Sequence, residues 1–462
     1  MTRLFPKLCL FLAAAFAAAQ AQSVDAIYTA RYVVTMDASR RLIDNGAVAV
    51  RGERIVEVGS AAEINRKYTA AHHFDRPGDI LMPGLINTHT HAAMSLFRGL
   101  ADDLRLQEWL EKYIFPAEAK NVDAEFVTWG TRLACLEMML SGTTTYVDMY
   151  YFEEKVAEAT KEAGMRGVLG ETIIGFKDPD SAGPAEGLRY AEKFIQRFKG
   201  DPLIVPAVAP HAVFTNSDES LQAARALANR YGVPFVIHVS ETKKENDDLR
   251  AKRNMSPTQL LDSLGALDGQ TIAAHGVWVD DADIAILKAH HTGIAHNPSS
   301  NMKLASGIAP VVKLLQTGIA VGLGTDGPAG SNNDFDLMEE MNLAADLQKV
   351  ATMDPRVLPA EQAVEMATIL GAKVACLDRE IGSLEAGKRA DFITIRLDRP
   401  HAVPMYNVYS QIVYALKGSD VRDVVVNGRN IVRDGRSLTL NEAQILAKAV
   451  EYGAGVTRSL QH

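Results

Sequence analysis

Eight apolar runs rich in β-branched residues recur along the middle of the chain, and a stretch with helical periodicity separates each run from the next. They lie at 80–91, 143–149, 167–171, 204–211, 234–241, 271–275, 293–297 and 319–326. Strands that alternate with helices pair in parallel, because each crossover returns the chain to the same end of the sheet. Eight such units predict an α/β fold, a closed (β/α)8 TIM barrel whose functional residues lie at the C-terminal ends of its strands.

The two ends of the chain show a different pattern, with short alternating segments between turn residues. These segments lie at 26–35, 46–50 and 55–58, and again at 391–395, 421–426 and 430–432. We expect both ends to build one small β-sandwich. The predicted domains are an N-terminal sandwich segment at 22–82, the barrel at 83–386, a C-terminal sandwich segment at 387–446 and a final helix or tail at 447–462.

The first 21 residues have the pattern of a secretory signal peptide. Arg3 and Lys7 precede an apolar run at 8–19, and Ala19-Gln20-Ala21 fits a cleavage site. We therefore expect cleavage after Ala21 and a periplasmic or secreted protein. No later stretch is apolar over the length that a membrane helix needs, so no membrane association is expected after cleavage.

The composition, 47% hydrophobic and 23% charged over 462 residues, is that of a globular protein. The formal net charge of −9 argues against nucleic acid as a partner, because a polyanion is bound by basic surfaces. We expect a small-molecule substrate. Monomer and homo-oligomer both remain open.

Polar residues that can carry chemistry are concentrated at the C-terminal ends of the predicted barrel strands. They are His89, His91, His211, His238, Glu241, His275, His296 and Asp326. A chance scatter of 12 histidines would not favour these positions, whereas a barrel built for catalysis would.

A metal-ligand set can be assembled from these residues. His89 and His91 are two positions apart on one strand, so both imidazoles point the same way. Taken alone, His238 could be a buried core residue and Asp326 a turn residue. Together with His89 and His91 they supply three nitrogen ligands and one oxygen ligand. That set fits Zn²⁺ with an open position for water, and Fe²⁺ or Mn²⁺ are alternatives. Zinc would lower the pKa of the water to about 7.

Several ordered motifs resemble those of the amidohydrolase superfamily. They are Pro83-Gly84-Leu85-Ile86-Asn87-Thr88-His89-Thr90-His91, His238 with Glu241, Ala274-His275-Gly276, His296-Asn297-Pro298-Ser299-Ser300-Asn301 and Gly324-Thr325-Asp326-Gly327. The resemblance covers about 25–435. Within the superfamily, the chain most resembles the methylthioadenosine/S-adenosylhomocysteine deaminases and their triazine-hydrolase relatives.

The resemblance implies a role for each matched residue. The implied metal ligands are His89, His91, His238 and Asp326. Glu241 is implied as the proton shuttle and His275 as the group that orients a metal-bound hydroxide. The fourth strand offers His211 and no lysine to bridge a second metal, so one ion per chain is expected.

The reaction that this implies is hydrolytic deamination of an adenine nucleoside or thionucleoside. The hydroxide attacks C6, and Glu241 protonates the adjacent ring nitrogen. Asp326 takes the proton of the attacking water and later helps deliver it to the departing ammonia. His275 stabilises charge on the attacking oxygen.

Substrate contacts are implied at four further positions. The resemblance suggests Glu108 for the ribose hydroxyls, Trp109 for the purine pocket, His211 for the purine ring and Arg166 for the carboxylate of S-adenosylhomocysteine. Two more residues, Asn297 and Ser300, fit either a substrate hydrogen bond or a cap on the following helix.

Other functions remain open at this point. Within hydrolases they are an s-triazine amino- or chlorohydrolase and a guanine or pterin deaminase. Outside the hydrolases, the alternatives are a periplasmic nucleoside-binding protein and an inactive homologue. The intact ligand set and Glu241 argue against both.

Overall fold

The computed structural model describes residues 21–461, so the predicted signal peptide lies outside the described residues except for Ala21 and stays a prediction. Its strands are β1 (Gln22–Val34), β2 (Leu42–Arg51), β3 (Arg54–Ser60), β4 (Tyr68–Pro83), β5 (Leu85–Thr90), β6 (Thr143–Tyr150), β7 (Arg166–Ile173), β8 (Ile204–Pro210), β9 (Phe235–Val239), β10 (Thr271–His275), β11 (Gly293–His296), β12 (Val321–Leu323), β13 (Phe392–Arg396), β14 (Val421–Val426), β15 (Arg429–Arg433) and β16 (Arg436–Ser437).

The helices connect these strands. They are α1 (Ala61–Lys67), α2 (Leu106–Glu108), α3 (Phe115–Asn121), α4 (Ala124–Leu140), α5 (Glu153–Ala163), α6 (Pro184–Phe198), α7 (Asp218–Tyr231), α8 (Lys243–Arg253), α9 (Pro257–Ser263), α10 (Asp281–Ala289), α11 (Pro298–Lys303), α12 (Val311–Gln316), α13 (Leu337–Thr352), α14 (Ala360–Ala367), α15 (Ile369–Val374), α16 (Val408–Tyr414) and α17 (Glu442–Leu460). A π-helical segment (Trp109–Ile114) joins α2 to α3, and short 3₁₀ helices lie at Ala92–Phe97, Pro400–Ala402 and Gly418–Asp420. No helix within 21–461 combines the length and apolarity that spanning a membrane requires.

The middle of the chain forms the predicted (β/α)8 barrel. Strands β5 to β12 pair in parallel in chain order, and β12 returns to β5 through the Leu323–Asn87 pair. Side chains along β6, β7, β9 and β10 are buried throughout, as expected for strands covered on both faces. The site residues at the strand ends are therefore held by a closed sheet.

Both chain ends contribute to one separate mixed sheet, which confirms the predicted pairing of the termini. Its order is β16-β15-β14-β13-β4-β1-β2-β3, with β1 parallel to β4 and the other neighbours antiparallel. Its two halves share a core in which Tyr28 packs edge-on against Phe392, with Val48, Ile55 and Val425 around them. The last helix, α17, begins before the predicted residue 447.

The first predicted barrel strand, 80–91, is two strands. Residues up to Pro83 belong to β4 of the mixed sheet, where Pro83 pairs with Phe392, and the barrel strand β5 begins at Leu85. Gly84 lies between them, and a Cβ there would overlap the Thr144 side chain. The apolar pattern is continuous because both strands are buried, so hydrophobicity alone does not reveal the change of sheet.

Arg166 lies at the N-terminal end of β7, and this position corrects the prediction that it contacts substrate. Its Nη2 is 3.0 Å from Oδ2 of Asp391, and both side chains are buried. It also donates to the carbonyl of Pro202 and to Oδ1 of Asn427. Active sites of such barrels lie at the opposite, C-terminal ends. Arg166 therefore joins the barrel to the mixed sheet.

We predict that Arg166→Ala lowers the free energy of unfolding by about 3–5 kcal/mol, because it leaves the carboxylate of Asp391 buried without its partner. Denaturant unfolding followed by fluorescence measures the change. The matched control is Arg230→Ala, which breaks the exposed pair with Glu192 and should cost less than about 1 kcal/mol. Equal effects of the two substitutions would contradict the structural role of Arg166.

Candidate active site

Three imidazoles and one carboxylate meet at the C-terminal rim of the barrel, as the sequence predicted. Nε2 of His89 and Nε2 of His91 lie 3.4 and 3.3 Å from Oδ1 of Asp326. Nε2 of His238 lies 3.3 Å from Nε2 of His91. We call these four residues the N3O cluster. His89 and His91 lie at the end of β5, His238 lies at the end of β9, and Asp326 follows β12.

Backbone carbonyls fix the orientation of two of these rings. Nδ1 of His91 donates to the carbonyl of Met149, and Nδ1 of His238 donates to the carbonyl of His211, each over 2.7 Å. These bonds leave the Nε2 lone pairs directed into the cluster. An imidazole held in this way by its other nitrogen is the usual arrangement of a metal ligand.

The electrostatics of the N3O cluster also suit a cation. Burial lowers the pKa of His89 to about 4 and holds that of His238 well below its usual value, so both rings are neutral. Burial opposes ionisation of Asp326, but the close approach of the His89 and His91 rings outweighs it and keeps the pKa of Asp326 well below the usual value. Burial likewise opposes protonation of His91, and Asp326 raises its pKa to about 9. A bound cation would take the place of that proton.

The residues present fit a divalent metal. Both ring nitrogens of His89 are buried without a hydrogen-bond partner among the described residues, which is costly unless a cation satisfies them. Ligand atoms of His89, His91 and Asp326 lie within 4.8 Å of one another, and so do those of His89, His238 and His275. Imidazole and carboxylate together suit a borderline-soft divalent ion.

Two further residues stand beside the N3O cluster, and both are buried. Oε2 of Glu241 is 3.7 Å from Nε2 of His275, and Ser306 lies 3.5 Å from Oε1 of Glu241. Burial, aided by the negative charge of Asp326, raises the pKa of Glu241 to about 8. A carboxyl group that titrates near neutral pH can both accept and donate a proton.

Two residues of the site have a strained backbone. His275 and Asp326 adopt left-handed φ values of 74° and 65°. Side chains other than glycine occupy this region at a cost of about 1–3 kcal/mol, and such residues cluster at functional sites. The strained backbone of Asp326 lets its carboxylate accept from its neighbour Gly327 and from Ser300 at once.

Asn297 and Ser300 contact the side chains of His275 and Asp326 and do not line the cavity. Ser300 donates to Oδ2 of Asp326 over 2.6 Å, and Nδ2 of Asn297 lies 3.2 Å from Nδ1 of His275. Nδ1 of His275 also donates to Oδ1 of Asn301 over 3.0 Å. Neither side chain caps α11, and neither lines the cavity. The structure therefore shows neither the helix cap nor the substrate contact that the sequence suggested for them.

A cavity opens beside the N3O cluster and contains two of the predicted substrate residues. Trp109 and His211 line it, together with Glu241, His275 and Asp326. The indole Nε1 of Trp109 donates to the carbonyl of Ala329, which fixes the ring. Burial lowers the pKa of His211 to about 3, so its ring is neutral.

Glu108 does not line this cavity, and this position corrects its predicted role. Its carboxylate pairs with Lys112 over 3.0 Å, and 42% of its side chain is exposed. Besides Glu241 and Asp326, one further buried carboxyl lines the cavity, that of Glu118, to which the hydroxyl of Tyr150 donates over 2.8 Å. Burial raises the pKa of Glu118 to about 7.

The sequence contained a signal for Glu118. Leu106, Leu110, Ile114 and Glu118 are spaced four apart, which places one carboxyl on an otherwise apolar face. A charged residue at such a position is buried only when it has a partner or a function.

Comparisons with known proteins identify the family of the chain. The model of the amidohydrolase family matches residues 80–431. The 5-methylthioadenosine/S-adenosylhomocysteine deaminase 1 of Syntrophus aciditrophicus is 46% identical over 95% of this chain and 99% of its own length. The 5'-deoxyadenosine deaminase of Methanosarcina acetivorans is 43% identical, covering 92% and 96%.

Solved structures are similar as well. An adenosine deaminase from Xanthomonas campestris with bound zinc superposes with a TM-score of 0.93 at 34% identity, covering 95% of this chain and all of the other. A triazine hydrolase from Arthrobacter aurescens has a TM-score of 0.86 at 23% identity, covering 92% and 99%, which shows the common fold.

A TIM barrel with imidazole and carboxylate side chains gathered at its rim is an arrangement that suits the class of metal-dependent hydrolases. Within that class, the chain belongs to the amidohydrolase family. It is a hydrolytic enzyme of the deaminase type.

We predict that Ser300→Ala weakens binding of Zn²⁺ by about 10–100-fold, because Asp326 loses the donor that orients its carboxylate. Competition with a chelator measures the affinity. Ser299→Ala is the matched control, since the backbone of Ser299 donates to Glu340 outside the N3O cluster. Unchanged affinity in Ser300→Ala would remove Ser300 from the positioning of the metal.

Proposed function

We propose that the protein is a zinc-dependent hydrolase that removes the 6-amino group of an adenine nucleoside or thionucleoside as ammonia. The observation that carries this proposal is the juxtaposition of Glu241, His275 and the N3O cluster at one end of a cavity that holds Trp109 and His211. The names of the relatives, deaminases of methylthioadenosine and S-adenosylhomocysteine, of 5'-deoxyadenosine and of adenosine, support it.

The protein groups around the reacting carbon have complementary tasks. A zinc ion held by the N3O cluster would supply hydroxide at neutral pH by lowering the pKa of water. Asp326 accepts the proton that the attacking water loses, since its carboxylate stays ionised. Glu241 in its protonated form donates to the ring nitrogen next to C6. His275, fixed by Asn301, stabilises charge on the attacking oxygen.

The remaining walls of the cavity bind the nucleoside. Trp109 offers a fixed aromatic edge, and the neutral ring of His211 can hydrogen-bond a purine nitrogen. We assign the ribose hydroxyls to Glu118, in place of Glu108. One oxygen of Glu118 accepts from Tyr150, which leaves the other free for the sugar.

A panel of substrates separates this proposal from its alternatives. The metal-loaded protein is incubated with adenosine, methylthioadenosine, 5'-deoxyadenosine, guanine, a pterin and an s-triazine, and ammonia or chloride is measured. Release of ammonia from the adenine nucleosides supports the proposal. Turnover of only guanine, pterin or triazine, or no turnover at all, would overturn it.

We predict that Glu241→Gln lowers kcat by at least about 100-fold while Zn²⁺ content and nucleoside binding are retained, because the amide cannot shuttle a proton. Steady-state kinetics, metal analysis and calorimetric titration with the product measure the three quantities.

The matched control is Glu245→Gln, four residues further along the chain. Burial raises the pKa of Glu245 to about 8, so glutamine resembles its neutral form, and its contact is with the backbone nitrogen of Glu241. This variant should keep most of its activity. Full activity of Glu241→Gln would refute the shuttle.

We predict that Glu118→Gln raises KM for adenosine by about 10–100-fold, the value of a hydrogen bond to a charged group. Because the loss concerns the sugar, KM for 2',3'-dideoxyadenosine should change little. Kinetics with both nucleosides measure the difference. Equal changes for the two substrates would contradict the assignment of the ribose to Glu118.

A further inference from the structure

Much of the cavity wall away from the N3O cluster is apolar. Side chains from the segment that runs from α2 to α3 provide most of this surface. They are Leu106, Leu110, Ile114 and Phe115. Met94 and Leu304 add to it. A hydrocarbon or thioether group on a bound nucleoside would therefore be removed from water at this surface.

The charged groups at these walls are acidic. Glu118 and Tyr151 both line the cavity. Burial raises the pKa of the Tyr151 hydroxyl, and the nearby acidic residues Glu118, Glu171, Asp178 and Asp180 raise it further. Glu171 and Asp180 each keep one buried carboxyl oxygen without a hydrogen-bond partner in the portion of the chain described. These acidic side chains offer a carboxylate in the cavity no cationic partner.

Lysine and arginine side chains do not line this cavity in the described range 21–461. The arginine that the sequence suggested for a substrate carboxylate, Arg166, is paired with Asp391 at the other end of its strand. Two lysines close in sequence to lining residues are paired elsewhere, Lys112 with Glu108 and Lys303 with Asp102. A carboxylate in the cavity would lose its hydration without gaining a cationic partner, which is strongly unfavourable.

These observations lead to one inference, which rests on the proposed function. We propose that the cavity selects adenine nucleosides whose 5' substituent is uncharged and apolar, and that it rejects those whose 5' substituent ends in a carboxylate. With C6 held beside Glu241 and His275, the sugar end faces the apolar walls, Glu118 and uncharged polar side chains such as Thr172, and it meets no lysine or arginine of the described residues. Deoxy and methylthio substituents fit this surface, and the amino-acid tail of S-adenosylhomocysteine does not.

Four nucleosides that differ only at the 5' position test the proposal with the zinc-loaded wild-type enzyme. They are methylthioadenosine, 5'-butylthio-5'-deoxyadenosine, S-adenosylhomocysteine and its carboxamide. The butylthio compound matches the tail in length without charge, and the carboxamide removes the negative charge alone. We expect kcat/KM for S-adenosylhomocysteine to be at least about 100-fold below that for the butylthio compound, with the carboxamide between them.

The outcomes are distinguishable. If S-adenosylhomocysteine and the butylthio compound are deaminated equally well, the inference is wrong while the proposed function stands. If the butylthio compound and the carboxamide are as poor as S-adenosylhomocysteine, length and not charge limits the cavity, and the inference is again wrong. If none of the four releases ammonia, the proposed function itself fails.

Discussion

The contact that closes the barrel is the one on which the site depends. Where β12 meets β5, Asn87 and Thr325 exchange hydrogen bonds, and the backbone nitrogen of Asp326 donates to the carbonyl of His89 over 3.0 Å. These bonds join the first strand of the barrel to the last. Because the two histidines and the aspartate come from those two strands, the same closure that completes the sheet also completes three quarters of the N3O cluster.

The closure also explains how unfavourable local features persist. Near the rim, two residues have left-handed backbone conformations, and both nitrogens of His89 are buried without protein partners among the described residues. Each of these features costs free energy that a flexible loop would release by relaxing. Here the residues are attached to buried strands of the closed barrel, so relaxation would break the sheet. The apolar barrel interior thus stabilises a polar, strained rim that is suited to binding a cation.

The sequence predicted those features of the structure that depend on periodicity and on strand ends. His89, His91, His238 and Asp326 come together because strand ends of a closed parallel sheet meet at one rim, a geometric consequence of counting eight strands. Arg166 illustrates where that reasoning fails. It stands at the beginning of its strand, and only the tertiary fold shows that the mixed sheet supplies Asp391 there. The partner lies 225 positions along the chain, beyond any local pattern.

A local feature of the backbone explains how Glu118, and not Glu108, reaches the cavity together with Trp109. Glu118 follows Trp109 by nine positions, and at about 100° per residue a regular α-helix would place them on opposite sides. The chain instead forms a π-helical segment between them, in which the nitrogen of Phe115 bonds to the carbonyl of Leu110. The wider turn reduces the rotation per residue, so that Trp109 and Glu118 both reach the cavity. Side-chain periodicity assumes regular helix geometry, and a π turn at a binding site is where that assumption fails.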